Sequence, residues 1–191
     1  MKKLLFPILG ALVFATGCAV SPQQITVEPR SEANFSGSGA GTSINLQVRD
    51  NRGTTALGSL GGTYPETSML TTSNDVAADL NNLLRQKLTA AGYVVTPNNA
   101  DFNLVVSLNE LSYEYGTAAV VAREVQTVVE LAFRAENASG MSYREGRFRT
   151  PRTQPRATRP TPEENKAFLE EVLTETIDRL LAHQPLVEFL R

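Results

Sequence analysis

One cysteine, one histidine and no tryptophan among 191 residues exclude several chemistries at once. A lone thiol, Cys18, provides neither an intramolecular disulfide framework nor a cysteine-based metal site. A lone imidazole, His183, cannot build a histidine-rich metal site, and no phosphate-binding loop, nucleophile elbow or metal-ligand motif accompanies it. No metal or other cofactor is expected. Long apolar runs are missing as well: the stretch from Leu4 to Phe14 has eleven residues, where a helix needs about 20 to cross a hydrocarbon core. Charge of one sign is also scarce. Lysine and arginine number 18 against 20 acidic side chains, a balance that argues against a general nucleic-acid binder.

What is present at the amino terminus has a definite order. Met1-Lys2-Lys3, the short apolar run and then Ala15-Thr16-Gly17-Cys18 read as a bacterial lipoprotein export signal. Residues 1–17 are expected to be cut away, and the Cys18 thiol to accept a diacylglyceryl group. A single acyl chain holds a protein only marginally, at ~0.8 kcal/mol per buried methylene, so firm anchoring needs more than one. Ala19 follows the cysteine in place of an acidic residue; by resemblance to enterobacterial lipoproteins, the chain lacks an inner-membrane retention signal. The expected location is the inner leaflet of an outer membrane, facing the periplasm.

Residues 18–43 mix Pro22, Pro29, Gly37, Gly39 and Gly41 with small polar residues. That composition predicts the lipidated cysteine followed by a flexible tether, with a short edge strand at 25–28. Residues 44–191 are expected to form one α+β domain. Ile44, Leu46 and Val48 alternate as one face of a strand ending near Asp50, and the glycine-rich residues 51–73 read as a long irregular connection. Val76, Leu80, Leu83, Leu84 and Leu88 recur at helical spacing over about 74–91, capped by Ser73 or Asn74 and stopped by Gly92. A short strand follows at 93–95.

In the next strand the apolar parity shifts from Phe102, Leu104, Val106 and Leu108 to Leu111, Tyr113 and Tyr115. One extra residue near Asn109-Glu110 restores a single buried face, which predicts a β-bulge there. Alternation over 124–136, a turn at 137–140 and a strand from Met141 to about Arg149 come next. Thr161-Pro162-Glu163-Glu164 is a capping box opening the last helix, whose stripe runs from Phe168 to Leu181. The expected fold is a largely antiparallel mixed sheet with two amphipathic helices packed on one face.

The lipobox at Cys18, the strand closing on Asp50-Asn51-Arg52, the helix ending Ala91-Gly92-Tyr93-Val94-Val95 before Pro97-Asn98, the strand Asn103-Leu104-Val105-Val106-Ser107, and Glu188-Phe189 follow one another in that order. On these features the chain resembles the YajG family of uncharacterised bacterial lipoproteins. The resemblance implies an outer-membrane lipoprotein facing the periplasm and no assigned reaction.

The chemistry-bearing residues are few. His183 ends an amphipathic helix, where a cation suits the dipole. Asp50 with Arg52 is either a ligand-binding pair at a strand end or a structural ion pair. Glu110 and Glu114 are carboxylates on one wet strand face. Arg144, Arg147, Arg149, Arg152, Arg156 and Arg159 stand against Glu145 alone. They form either a linker kept extended by Pro151, Pro155 and Pro160, or an anion-binding stretch in which Arg152, Arg156 and Arg159 contact peptidoglycan or lipopolysaccharide. The leading expectation is a non-enzymatic, lipid-anchored envelope protein that binds a protein partner or a polymer. The alternative is a hydrolase or transferase acting on cell-wall glycan with carboxylates such as Asp50 or Glu114.

Overall fold

A computed structural model describes residues 21–62, 64–117 and 123–191. Cys18 and the export signal of residues 1–17 lie outside the described residues. The strands are β1 (Gln23–Ile25), β2 (Ser43–Asp50), β3 (Ala56–Ser59), β4 (Met69–Thr72), β5 (Val94–Val95), β6 (Phe102–Thr117), β7 (Arg123–Asn137) and β8 (Tyr143–Arg156). The helices are α1 (Val76–Ala90), α2 (Pro162–Leu181) and α3 (Gln184–Phe189).

All eight strands join one mixed sheet whose spine is β6. One edge of β6 pairs antiparallel with β7, which carries β8. The other edge is shared: β2 pairs parallel with Phe102 to Leu108, and β3 then pairs parallel with Tyr113 and Glu114. The sheet therefore forks along β6, with β5 beyond β2, and β4 and β1 beyond β3. The long ladders are antiparallel and the short ones mostly parallel, so the α+β mixed sheet expected from the sequence is the fold observed.

The fork coincides with the bulge. Register slips between Leu108 and Glu110 opposite Leu131 and Glu130, leaving Asn109 as the extra residue. Because side chains alternate with period two, that single insertion puts Leu104, Val106 and Leu108 on the same buried face as Leu111, Tyr113 and Tyr115. Asn109 also ties the branch together, accepting from the Asn51 carboxamide at 3.0 Å and donating to Glu130 at 3.1 Å.

Both long helices cover this face. Val76, Leu80, Leu84 and Leu88 of α1 and Phe168, Leu169, Val172, Leu173, Ile177 and Leu180 of α2 are buried in a single core. The cap of α1 is Asp75, which accepts from the Ala78 N–H at 2.9 Å. Ser73 and Asn74 are equally competent by type, but Asn74 is taken by a long-range partner: it accepts from the Val27 N–H at 3.0 Å and donates to the Val27 carbonyl at 2.8 Å. At α2 the capping box is complete, with Thr161 accepting from the Glu164 N–H and Glu164 accepting from the Thr161 N–H at 2.8 Å. Thr161→Ala is expected to cost about 0.5 to 2 kcal/mol, while Thr161→Ser, which keeps the acceptor, stays near wild type in thermal unfolding.

Three regions depart from the sequence reading. Residues 51–73 form β3, a 3-10 turn at Pro65–Thr67 and β4, strands of four residues that are too short to show alternation. The region expected to be tether is docked from Gln23 onward: β1 pairs with β4, two residues ahead of the expected strand at 25–28, and Ile25, Val27 and Phe35 are buried. Lys87 Nζ then donates to the Ser31 and Ala33 carbonyls at 3.0 and 2.7 Å, fastening this segment to α1. Beyond the expected edge strand, Phe35 among small polar residues carries no periodic signal, yet it is buried in the core. Finally, β8 continues to Arg156, well past the expected end at Arg149, so most of the arginine- and proline-rich stretch is an edge strand. Pro151 and Pro155 remove backbone donors from an edge that would otherwise be open to further pairing.

Candidate functional site

Pairing with β7 separates the arginines of β8 by parity. Arg147 and Arg149 reach the carboxylates of Glu130 and Glu110 across the ladder, at 3.5 and 3.3 Å. Arg152 lies on the helix side and donates to both Glu171 and Glu175 of α2. Arg156 pairs with Glu164 at 3.5 Å and stacks over Phe168 at 4.3 Å. Arg144 stacks over Phe189 at 5.5 Å. These side chains fasten the edge strand to its neighbours and to α2 and α3. Arg159 lies beyond the strand, at 5.8 Å from the Tyr115 ring, and among the described residues it meets no carboxylate. Thus Arg152 and Arg156 have carboxylate partners within the protein, while Arg159 lines a cleft.

Asp50 and Arg52 are a fork-to-fork pair. Arg52 Nε and Nη2 donate to the two Asp50 carboxylate oxygens at 2.9 and 2.6 Å, and the Arg52 N–H adds a third bond at 2.9 Å. The Arg52 side chain is only 6% exposed, and its Nη1 is buried without a partner among the described residues. Hydrogen bonding from Arg52 outweighs burial and holds the Asp50 carboxyl below its ordinary range. A depressed folded-state value means that the stabilisation is present above the unfolded value, near pH 4, and is lost as pH falls through the folded one. Asp50→Asn should therefore melt below wild type at neutral pH, with the gap closing as pH drops below about 4; a parallel offset across the whole range contradicts this assignment. Asp50 pairs in register with Leu108, six positions before Glu114 on β6, which sets the two carboxylates about 20 Å apart along the strand. They do not form one site.

His183 lies between α2 and α3, at the N-cap of α3 but without a capping side-chain bond. Its ring packs against Phe133 and Phe148 at 5.5 and 5.2 Å, a packing role. Glu110 accepts from Ser112 and Arg149 on the outer face.

The feature that brings uncommitted polar groups together is a cleft of about 630 Å³ at the far end of the β6–β7 ribbon. Glu114 of β6 and Glu124 of β7 line it; Glu114 is opposite Gln126 and Glu124 is opposite Gly116, so both carboxylates are on the outer face. Arg123 lines the same cleft together with Arg159, and each guanidinium is within 6 Å of the Tyr115 ring: 5.7 Å for Arg123 and 5.8 Å for Arg159. The Tyr115 hydroxyl is buried and has no partner among the described residues. Ser59 of β3, paired in register with Glu114, also lines it, held there because Gly58 lets the backbone run against Tyr113. Glu114 and Arg159 stand out separately in the sequence. Arg123, Glu124 and Tyr115 formed no motif, because their convergence depends on the β6–β7 register and on the return of the chain after β8.

A family model described as "Uncharacterized lipoprotein" matches residues 29–191. The chain belongs to that family of lipoproteins. The uncharacterized lipoprotein YajG of Escherichia coli strain K12 is 30% identical over 140 residues, which cover 73% of this chain and 71% of that protein. The fold also matches the crystal structure of a protein from Xanthomonas campestris, with a TM-score of 0.56 at 12% identity over 89% of this chain and 95% of that one. The rare lipoprotein B structure from Shewanella oneidensis aligns with a TM-score of 0.46 at 15% identity, covering 78% of this chain and 97% of that one. The family match takes in every residue of the cleft, the arginine strand and the Asp50–Arg52 pair.

Proposed function

We infer that this lipoprotein is held by acyl chains on Cys18 in the inner leaflet of the outer membrane, and that its periplasmic domain binds an envelope component without transforming it. The observation that carries the binding reading is the β6–β7 cleft, where Glu114, Arg123 and Glu124 stand on paired strands and Arg159 joins them from beyond β8, with no ion pair satisfying either arginine among the described residues. Sites on strands hold their groups in place, which favours recognition. The anchor reading rests on the signal and lipobox ending at Cys18, and family membership agrees with it. No helix among the described residues is long and apolar enough to cross a membrane.

One observation favours the glycan-cleaving alternative: Glu114 and Glu124 share a cleft, and paired carboxylates are what glycosidases use. Against it, Glu114 is exposed and two guanidiniums line the same space, whereas a carboxyl acting as general acid needs an apolar enclosure. Two measurements test the pair of readings. Labelled fatty acid should enter the wild type and not Cys18→Ser, and the wild type should fractionate with outer membranes; equal labelling of both refutes the anchor. Purified protein incubated with peptidoglycan should release no soluble fragments, whereas release that disappears in Glu114→Gln establishes the hydrolase.

A further inference from the structure

We propose that the β6–β7 cleft is a receptor site for a zwitterionic ligand, an amino acid or short peptide whose carboxylate is taken by Arg123 and Arg159 and whose ammonium is taken by Glu114 and Glu124. The proposal rests on the reading that this domain binds an envelope component, and it specifies the chemistry of what is bound.

The arginines fall into two sets. Arg147, Arg149, Arg152 and Arg156 each reach a carboxylate, whereas Arg123 and Arg159 reach none among the described residues although two carboxylates line their own cleft. Both converge on one tyrosine ring, at 5.7 and 5.8 Å. Two like charges gathered at one ring repel each other unless an anion joins them. The ring meanwhile holds each guanidinium by cation–π attraction and leaves its N–H edge free to grip a carboxylate.

Charge balance then selects the ligand class. A simple anion would satisfy the arginines and face Glu114 and Glu124; a simple cation would do the reverse; a neutral glycan would leave all four charges without a counter-charge. Tyr115 and Arg123 are on the core-facing side of the ribbon and Glu114 and Glu124 on its outer face, so a molecule carrying both signs meets both pairs by spanning the ribbon's end. The volume of about 630 Å³ lies within the range of small-ligand sites. Two sources supply this chemistry in an envelope: the stem peptide of the cell wall and the terminus of a protein.

The test is calorimetric titration of the full lipidated chain in detergent. The probes are L-alanyl-γ-D-glutamyl-meso-diaminopimelate, its form acetylated at both amines, its carboxyl-amidated form, and the all-L peptide Ala-Glu-Lys. The first probe should bind, and acetylation or amidation should each weaken binding by about tenfold or more, the usual effect of losing a charged hydrogen bond. Arg123→Gln and Arg159→Gln should weaken the unmodified peptide similarly and lose sensitivity to amidation. Glu114→Gln should lose sensitivity to acetylation. Arg147→Gln, on the outer face away from the cleft, should bind as wild type, and matched unfolding curves exclude misfolding. Tighter binding of the all-L peptide assigns the source to a protein terminus, and tighter binding of the first probe to the cell wall. No binding of either peptide, or unchanged binding by both arginine variants, overturns the proposal. If titration is silent while crosslinking in intact envelopes still captures a component with the Arg123→Gln/Arg159→Gln protein, the cleft assignment falls and the wider reading stands. If both are silent, both fall.

Discussion

Leu173→Ala is expected to destabilise the domain by about 2 to 5 kcal/mol, combining lost burial with the cavity left behind. Leu173 has no exposed surface and sits mid-way along α2 in the core that joins both helices to the sheet. Gln86→Ala, at an exposed position of α1, should stay within about 0.5 kcal/mol of wild type. Denaturant unfolding read by circular dichroism measures both; coincident midpoints would remove α2 from the core. Glu170, which the helical pattern assigns to the surface, is not a neutral control. It accepts from the Glu28 N–H at 2.9 Å and pairs with Lys166, helping to seat the amino-terminal segment on α2.

Gly58→Ala is expected to be at least as damaging, although it adds only a methyl group. Gly58 has φ of +148°, and a Cβ built there would lie 1.8 Å from the carbonyl oxygen of Tyr113. The obstacle is backbone of the sheet's central strand, so neither side can yield without unpairing β3 from β6. The cost should exceed the ~1 to 2 kcal/mol of an unfavourable backbone conformation alone. Gly53→Ala supplies the comparison: its φ is +69°, and nothing lies within 4 Å of the added Cβ. It should therefore show the conformational cost without the clash. Because Ser59 follows Gly58, the same change should also weaken any ligand bound in the cleft. Equal stability of the two variants contradicts the close approach of β3 to β6.

These two positions show what the sequence carries and what it does not. Leu173 is legible because a helix repeats its buried face every three to four residues, and the bulge at Asn109 is legible because a strand's parity is strict. Gly58 is one glycine among several between residues 51 and 73, and its role arises only from a parallel contact with Tyr113, far along the chain. The arginine stretch is a similar case. Its sequence alternates too weakly to announce a strand, since Arg147 and Arg149 face Glu130 and Glu110 while Arg152 faces Glu171 and Glu175. The charge excess visible in the sequence is a count of partners placed elsewhere. The cleft was least legible, because its arginines come from the start of β7 and from beyond β8, and they share only a tyrosine of β6.

Engagement of an envelope component through the β6–β7 cleft of the anchored domain is tested most directly by site-specific photo-crosslinking in living cells. A crosslinking amino acid placed at Gln126, inside the cleft, should yield a discrete adduct that the Arg123→Gln/Arg159→Gln background loses. The same probe at Tyr143, 47% exposed at the start of β8, should give none. An adduct from Tyr143 with none from Gln126, or equal adducts from Gln126 in both backgrounds, would contradict it.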